Sequence, residues 1–175
     1  MGSFIIKNAS CVDMEVDAIV NAANGYMMHG GGVARAILLK AGKELNDACQ
    51  KQSLPVKDGE NIVTPSFNID NAEIIIHAVG PDFRKTPDAI DKLYDAYYNS
   101  LISLKENDYH SISFPLISSS IFAGDLKDPV KVSTRECIKA YNAFISKYPD
   151  YNIDVILCAY TPLEYKQSID EYKKM

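Results

Sequence analysis

Asn24, His29 and the run Gly30-Gly31-Gly32 are the densest group of residues in this chain that could do chemistry. A short apolar strand, Ala18-Ile19-Val20, ends in Asn21-Ala22-Ala23-Asn24. A loop then closes on the three glycines, and a helix-compatible run starts at Val33. Strand, glycine loop and helix N-terminus together aim backbone N–H groups and a positive helix end at one point, where an anionic phosphate can sit. Consecutive glycines let the backbone approach a ligand with no side chain in the way. The loop lacks the Lys-Ser/Thr pair of a Walker loop and the G-x-G-x-x-G spacing of a dinucleotide loop. A strand-to-helix turn with no ligand fits the glycines as well. Asn24 has two readings: it bonds a sugar hydroxyl or orients a water, or it caps its own loop. His29 polarises or donates to a ligand oxygen, or it is a solvent-exposed loop histidine.

A second candidate loop, Ser118-Ser119-Ser120-Ile121-Phe122-Ala123-Gly124, follows the predicted strand Ser111–Ile117. Its N–H groups could meet a pyrophosphate from the side opposite Gly31-Gly32, with Phe122 packed on a ribose. The competing reading is a serine-rich surface turn with Phe122 in the core. There is no G-x-S-x-G elbow to support a serine nucleophile. Tyr160, at the end of the last predicted strand, stacks on an adenine or is a core-rim tyrosine. His77 lies inside the apolar run Ile76-His77-Ala78-Val79 and reads as a satisfied core histidine.

These loops need a scaffold, and the 175 residues fit one domain over 1–175. The 18 Lys+Arg and 23 Asp+Glu give a formal net charge of −5, which disfavours non-specific nucleic-acid binding. Cys11, Cys49, Cys137 and Cys158 show no CxxC or Cys/His ligand spacing. Free buried thiols in a reducing compartment are expected, hence a cytoplasmic protein with no metal and no cofactor. The N-terminus has no apolar h-region, and no run reaches the ~20 apolar residues of a spanning helix. Nothing in the composition demands assembly, so a monomer is expected.

Strands are predicted at Phe4–Lys7, Asp17–Asn21, Asn61–Thr64, Glu73–Val79, Ser111–Ile117 and Ile153–Tyr160. Several are continuous apolar runs, as in strands covered on both faces. Helices are predicted from Val33 through Cys49, from Thr86-Pro87, from Asp128-Pro129 to near Pro149, and from Thr161-Pro162-Leu163-Glu164, which has capping-box spacing. Alternating strands and helices predict an α/β/α layered domain with a largely parallel sheet. Ligands bind such sheets at the carboxyl ends of the strands.

Asn21-Ala22-Ala23-Asn24, His29-Gly30-Gly31-Gly32-Val33-Ala34, His77-Ala78-Val79-Gly80-Pro81 and Phe114-Pro115-Leu116-Ile117-Ser118 with Ile121-Phe122, in this order, resemble a macrodomain. The resemblance covers essentially the whole chain and is closest to viral-type macrodomains and their bacterial and archaeal relatives. It implies a three-layer α/β/α sandwich with a mixed, mostly parallel sheet of six strands and a cleft for ADP-ribose. By that resemblance Asn24 bonds the distal ribose. Gly30, Gly31, Gly32 and Val33 form the first phosphate loop. Ser118, Ser119, Ser120, Ile121 and Phe122 form the second, with Phe122 beside the distal ribose. Ser10, Cys11 and Tyr160 lie at the adenine end.

Three positions depart from the family pattern: Ser10 stands where an Asp is usual, Ala34 where MacroD-type hydrolases, though not viral-type members, carry an Asp, and Ser120 where a Gly is usual. The implied activity is hydrolysis of mono-ADP-ribose from acidic side chains of modified proteins, with Asn24, His29 and the backbone at Gly31 as catalytic groups. The alternatives are a non-catalytic ADP-ribose reader, or a hydrolase of ADP-ribose 1″-phosphate or O-acetyl-ADP-ribose.

Overall fold

The run Ile74–Val79 is buried at every position, as a strand must be when helices cover both faces of its sheet. The computed structural model describes residues 2–175. Its strands are β1 (Ser3–Asn8), β2 (Ala18–Ala23), β3 (Asn61–Pro65), β4 (Ile74–Val79), β5 (Ser111–Phe114) and β6 (Asp154–Ala159). They form one six-stranded sheet in the order β1-β6-β5-β2-β4-β3. Every pairing is parallel except β3 with β4. The sheet is therefore mixed and mostly parallel, as expected.

The helices are α1 (Gly32–Ala41), α2 (Lys43–Gln50), α3 (Ile90–Glu106), α4 (Pro129–Lys147) and α5 (Pro162–Lys173). Two apolar cores lie on opposite faces of the sheet. On one face Ile19 and Ile75 pack with Ile37, Leu45 and Cys49 of α1 and α2. On the other, Val20, Ile76 and Leu157 pack with Leu93, Tyr97 and Phe144 of α3 and α4. Helix α5 joins the second face, where Phe4 stacks on Tyr172 at 6.0 Å.

Several boundaries differ from the sequence reading for local reasons. The predicted helix from Val33 to Cys49 is two helices, broken at Gly42, whose φ of 98° interrupts the turn. Of the residues that recur at helical spacing, Val33, Ile37, Ala41, Leu45 and Cys49, the last four are nevertheless fully buried and Val33 is half-buried. Strand β5 stops at Phe114, because Pro115 has no N–H for the ladder. Helix α3 starts at Ile90 rather than at Pro87, after a turn closed by Ala89 N–H to the Thr86 carbonyl. Ile90 and Ile145, whose spacing with Leu93 and Tyr141 predicts an inward face, are exposed. The capping box at Thr161 is present in full: Glu164 N–H donates to Thr161 Oγ1 (3.1 Å) and Thr161 N–H to Glu164 Oε1 (3.0 Å).

Candidate functional site

Strands β1, β2, β4, β5 and β6 run parallel, so the loops after them gather at one edge of the sheet. A trough opens there in two joined parts. The smaller, about 440 Å³, is lined by Asn24, Gly30–Gly32, Gly80 and the loop Ser118–Phe122. The larger, about 810 Å³, runs past Ser10, Cys11, Asp13, Lys40 and Tyr160. Gly32 and Val33 on one wall, and Ser119 and Ser120 on the other, line both parts. These four residues, with Pro115 and Leu116, form the waist of the trough.

The first wall is the glycine loop running into α1. Gly31 is the N-cap, in extended backbone that any residue can adopt. Gly32 has φ +58°, a left-handed conformation that favours glycine. A β-carbon on Gly30, Gly31 or Gly32 would meet no atom within 4 Å, so all three open onto free space. The first-turn amides of α1 have no intrahelical partners, and no acidic side chain stands in that turn. Ala34 places a methyl group on this wall.

The second wall is held from beneath. Tyr97 is fully buried, and its hydroxyl accepts the Ile117 N–H (2.9 Å) and pairs with Ser133 Oγ (2.6 Å). Ser133 Oγ in turn donates to the Ile117 carbonyl (2.7 Å). Ser118, at φ 56°, turns its hydroxyl away from the trough to donate to the Pro81 carbonyl (2.7 Å). Ser119 Oγ donates to the Leu116 carbonyl (2.8 Å). Both serine hydroxyls therefore give their protons to neighbouring carbonyls and shape the loop. Ser120 takes φ −114° with ψ −110°, outside both the extended and the helical regions. Phe122 is half-buried on the wall with the Arg84 guanidinium 5.5 Å from its ring centre. Ile121 stands exposed on the rim.

Asn24 lines the trough and also caps its own loop. Its Oδ1 accepts from the N–H of Tyr26 and of Met28, each at 3.1 Å. Its Nδ2 donates to the Met28 carbonyl (2.9 Å). One Nδ2–H is left for a ligand. The two sequence readings of Asn24 are thus compatible.

His29 corrects an expectation. It is only 8% exposed and does not line the trough. Its ring turns inward to the ring of His77, 5.9 Å away and edge-on. Burial lowers its pKa, with Asn46 and the Met27 backbone opposing, so burial works against the imidazolium. The loop position gave no sign of this, because the Gly run lets the chain turn the imidazole either way. The His29 ring therefore faces the core and not the trough. His77 is the satisfied core histidine expected. Its Nδ1 accepts from Asn21 Nδ2 (3.0 Å), and its Nε2 pairs with Thr64 Oγ1 (2.9 Å).

At the far end, Ser10 Oγ accepts only a long contact from Val12 N–H (3.4 Å) and stays available to the trough. Asp13, which the sequence reading missed, brings a carboxylate to the same lining. It lies on the 3₁₀ turn Cys11–Asp13, three residues after Ser10, and that spacing was the available signal. Lys40 is 3.9 Å from it and donates to the Val12 carbonyl (3.2 Å). Cys11 and Cys158 lie in the floor, and burial pushes both thiols up, Cys158 to about 12. Tyr160 is 75% exposed on the rim, free to cover a flat ligand. Among the described residues lining the smaller part, none carries a carboxylate or an imidazole. Chemistry there has to come from oriented dipoles and backbone donors.

Residues 20–133 match the model of the Macro domain family. An uncharacterized protein of Thermotoga maritima is 40% identical over 146 residues, 81% of this chain, which spans 24% of that longer protein. The O-acetyl-ADP-ribose deacetylase of Escherichia fergusonii is 39% identical over 147 residues, covering 82% of this chain and 80% of that enzyme. The Oceanobacillus iheyensis macrodomain, solved with ADP, superposes with a TM-score of 0.85 at 30% identity, over 97% of this chain and 90% of that one. The matched residues run from β2 through both loops into α4, and the chain belongs to the Macro domain family.

Proposed function

We propose that this chain binds ADP-ribose along the trough and hydrolyses mono-ADP-ribose from acidic side chains of modified proteins. The observation that carries the reading is the waist. Unpartnered amides of α1's first turn face a serine loop whose side chains are engaged elsewhere, so two sets of backbone N–H groups meet one small volume. That arrangement suits a pyrophosphate. The Oceanobacillus protein was solved with ADP and, as a single-residue variant, with ADPR, which supports the same ligand here. The adenosine occupies the larger part, with Ser10 and Asp13 as acceptors and Tyr160 as cover. The distal ribose occupies the smaller part, against Phe122 and the free Nδ2–H of Asn24.

Hydrolysis adds water across the ester at the distal ribose: the C–O bond breaks, and ADP-ribose and the carboxylic acid leave. With no acid or base on the wall, the rate comes from holding the ribose and a water in place. The name of the Escherichia relative favours a second substrate, O-acetyl-ADP-ribose, which is also an ester of the distal ribose. A reader without turnover is the third possibility, and Ala34, a methyl in place of a carboxylate, favours it. The four free, buried thiols support action in a reducing compartment such as the cytoplasm.

One assay separates these readings. The protein is mixed with a Glu-mono-ADP-ribosylated target and, separately, with O-acetyl-ADP-ribose, and free ADP-ribose is followed over time. Release from the modified protein supports the proposal. Release from the small ester alone supports the deacetylase, and retention of the modified target without release supports the reader.

A further inference from the structure

Behind the glycine loop, three elements bring His29, Cys49 and His77 together. Cys49 comes from α2, His77 from β4 and His29 from the loop before α1. One ligand atom of each, taken together, lie within 4.8 Å of one another. All three residues are buried, Cys49 and His77 completely. Cys49 Sγ is 3.8 Å from His77 Nε2. Tetrahedral zinc, with bonds of about 2.3 Å to sulfur and 2.0–2.1 Å to nitrogen, sets its S and N ligands about 3.6 Å apart.

Simple packing leaves this pocket unsatisfied. Asn46 and the Met27 backbone approach the His29 ring, but neither ring nitrogen makes a hydrogen bond of full geometry, and Asn21 Oδ1 beside His77 has no partner. Buried polar atoms are otherwise almost always paired. A cation removes two of these three orphans. It gives one ring nitrogen of His29 a ligand bond. Coordinated through Nε2, His77 carries its proton on Nδ1 instead, and turning the Asn21 amide over brings its orphaned Oδ1 onto that N–H. Such an outer partner is the usual support of a ligating histidine.

We propose that His29, Cys49 and His77 form a buried Cys-His₂ site for a thiophilic divalent metal, zinc by its ligand set. Thr64 Oγ1, already 2.9 Å from His77 Nε2, or a water completes the four. Binding forms one Zn–S and two Zn–N bonds and releases the Cys49 thiol proton to solvent. His29, on a loop, makes the approach that closes the set. Because His29 directly precedes Gly30, the metal fixes the base of the glycine loop. The site is assigned independently of what the trough binds.

The test uses the full, reduced chain stripped of metal and titrated with Co²⁺, then Zn²⁺. The expected result is one equivalent of cobalt, with the intense visible bands of a tetrahedral site and a thiolate-to-cobalt charge-transfer band, all displaced by zinc. Cys49→Ser loses the charge-transfer band, and His29→Gln weakens cobalt binding at least tenfold. Cys158→Ala, a thiol on another wall, changes neither. His29→Gln alters a loop residue and decides the matter if a core variant fails to fold. No stoichiometric cobalt binding, a spectrum without thiolate character, or full binding in both Cys49→Ser and His29→Gln would overturn the proposal.

Discussion

The Ser118 hydroxyl donates a 2.7 Å hydrogen bond to the carbonyl of Pro81, tying the second wall of the trough to the chain leaving β4. The contact is possible because the residue before Pro81 is glycine. A β-carbon on Gly80 would collide with Ile117 Cγ2 and Ser118 Oγ. Gly80→Ala therefore pushes the second wall out of place. We expect it to lower unfolding stability by about 1–3 kcal/mol, the usual cost of overpacking. ADP-ribose affinity should fall at least tenfold. Urea melts and calorimetric titration check the two effects, and unchanged affinity would show that the wall does not contact the ligand.

Gly31 and Gly32 are adjacent but should respond differently. Gly31 has extended backbone and open space where a methyl would go, so Gly31→Ala should leave stability within about 0.5 kcal/mol. Its methyl enters the smaller cavity, and turnover should drop at least tenfold. Gly32 has φ +58°, and Gly32→Ala should lose about 1–2 kcal/mol of stability. Thermal melts and initial rates for the two variants test the contrast. Equal stability losses would refute the backbone assignment.

How much of this could be read from the sequence depended on where each property resides. Ile74-Ile75-Ile76 announced a strand because burial on both sheet faces leaves a continuous apolar run. The capping box at Thr161 was legible because its two partners are three residues apart. The two walls were legible as loops, since small residues cluster after predicted strands. The direction of His29 was not, because a loop side chain turns toward whatever the fold places beneath it. The grouping of His29, Cys49 and His77 was hidden for the same reason, as no local spacing marks ligands drawn from three separate elements.

Asn24 both holds its loop and faces the ligand, and two substitutions separate these roles. Asn24→Ala removes two acceptor bonds and one donor bond, so the loop should loosen at a cost of about 1–2 kcal/mol. Turnover should be abolished. Asn24→Asp keeps both acceptors for Tyr26 and Met28 N–H but loses the N–H on the Met28 carbonyl and the one that faces the ligand. It should cost less stability than Asn24→Ala while kcat still falls at least tenfold. Amide exchange at Tyr26 and Met28, measured beside the rate, checks the division. Wild-type turnover in both variants would remove Asn24 from the mechanism.

Cys158 gives a pH dependence of known sign. Burial pushes its thiol up to about 12, from about 9 when exposed. Below pH 9 the thiol is protonated in both the folded and the unfolded chain, and its contribution is fully present. Between pH 9 and 12 only the unfolded chain loses the proton, so stability falls as pH rises, by about 1.4 kcal/mol per unit at most. Urea melts at pH 8 and pH 10.5 should show a smaller alkaline loss for Cys158→Ala than for the wild type. Equal losses would mean that another group dominates this range.

The central claim is that two facing sets of backbone amides at the waist hold a pyrophosphate. The most direct test is an amide-resolved NMR titration of the ¹⁵N-labelled chain with ADP-ribose. Saturable one-to-one binding is expected, with the largest shifts at the N–H groups of Gly32–Ala34 and Ser119–Phe122. Saturation that leaves those amides unmoved, or no saturable binding, would contradict it.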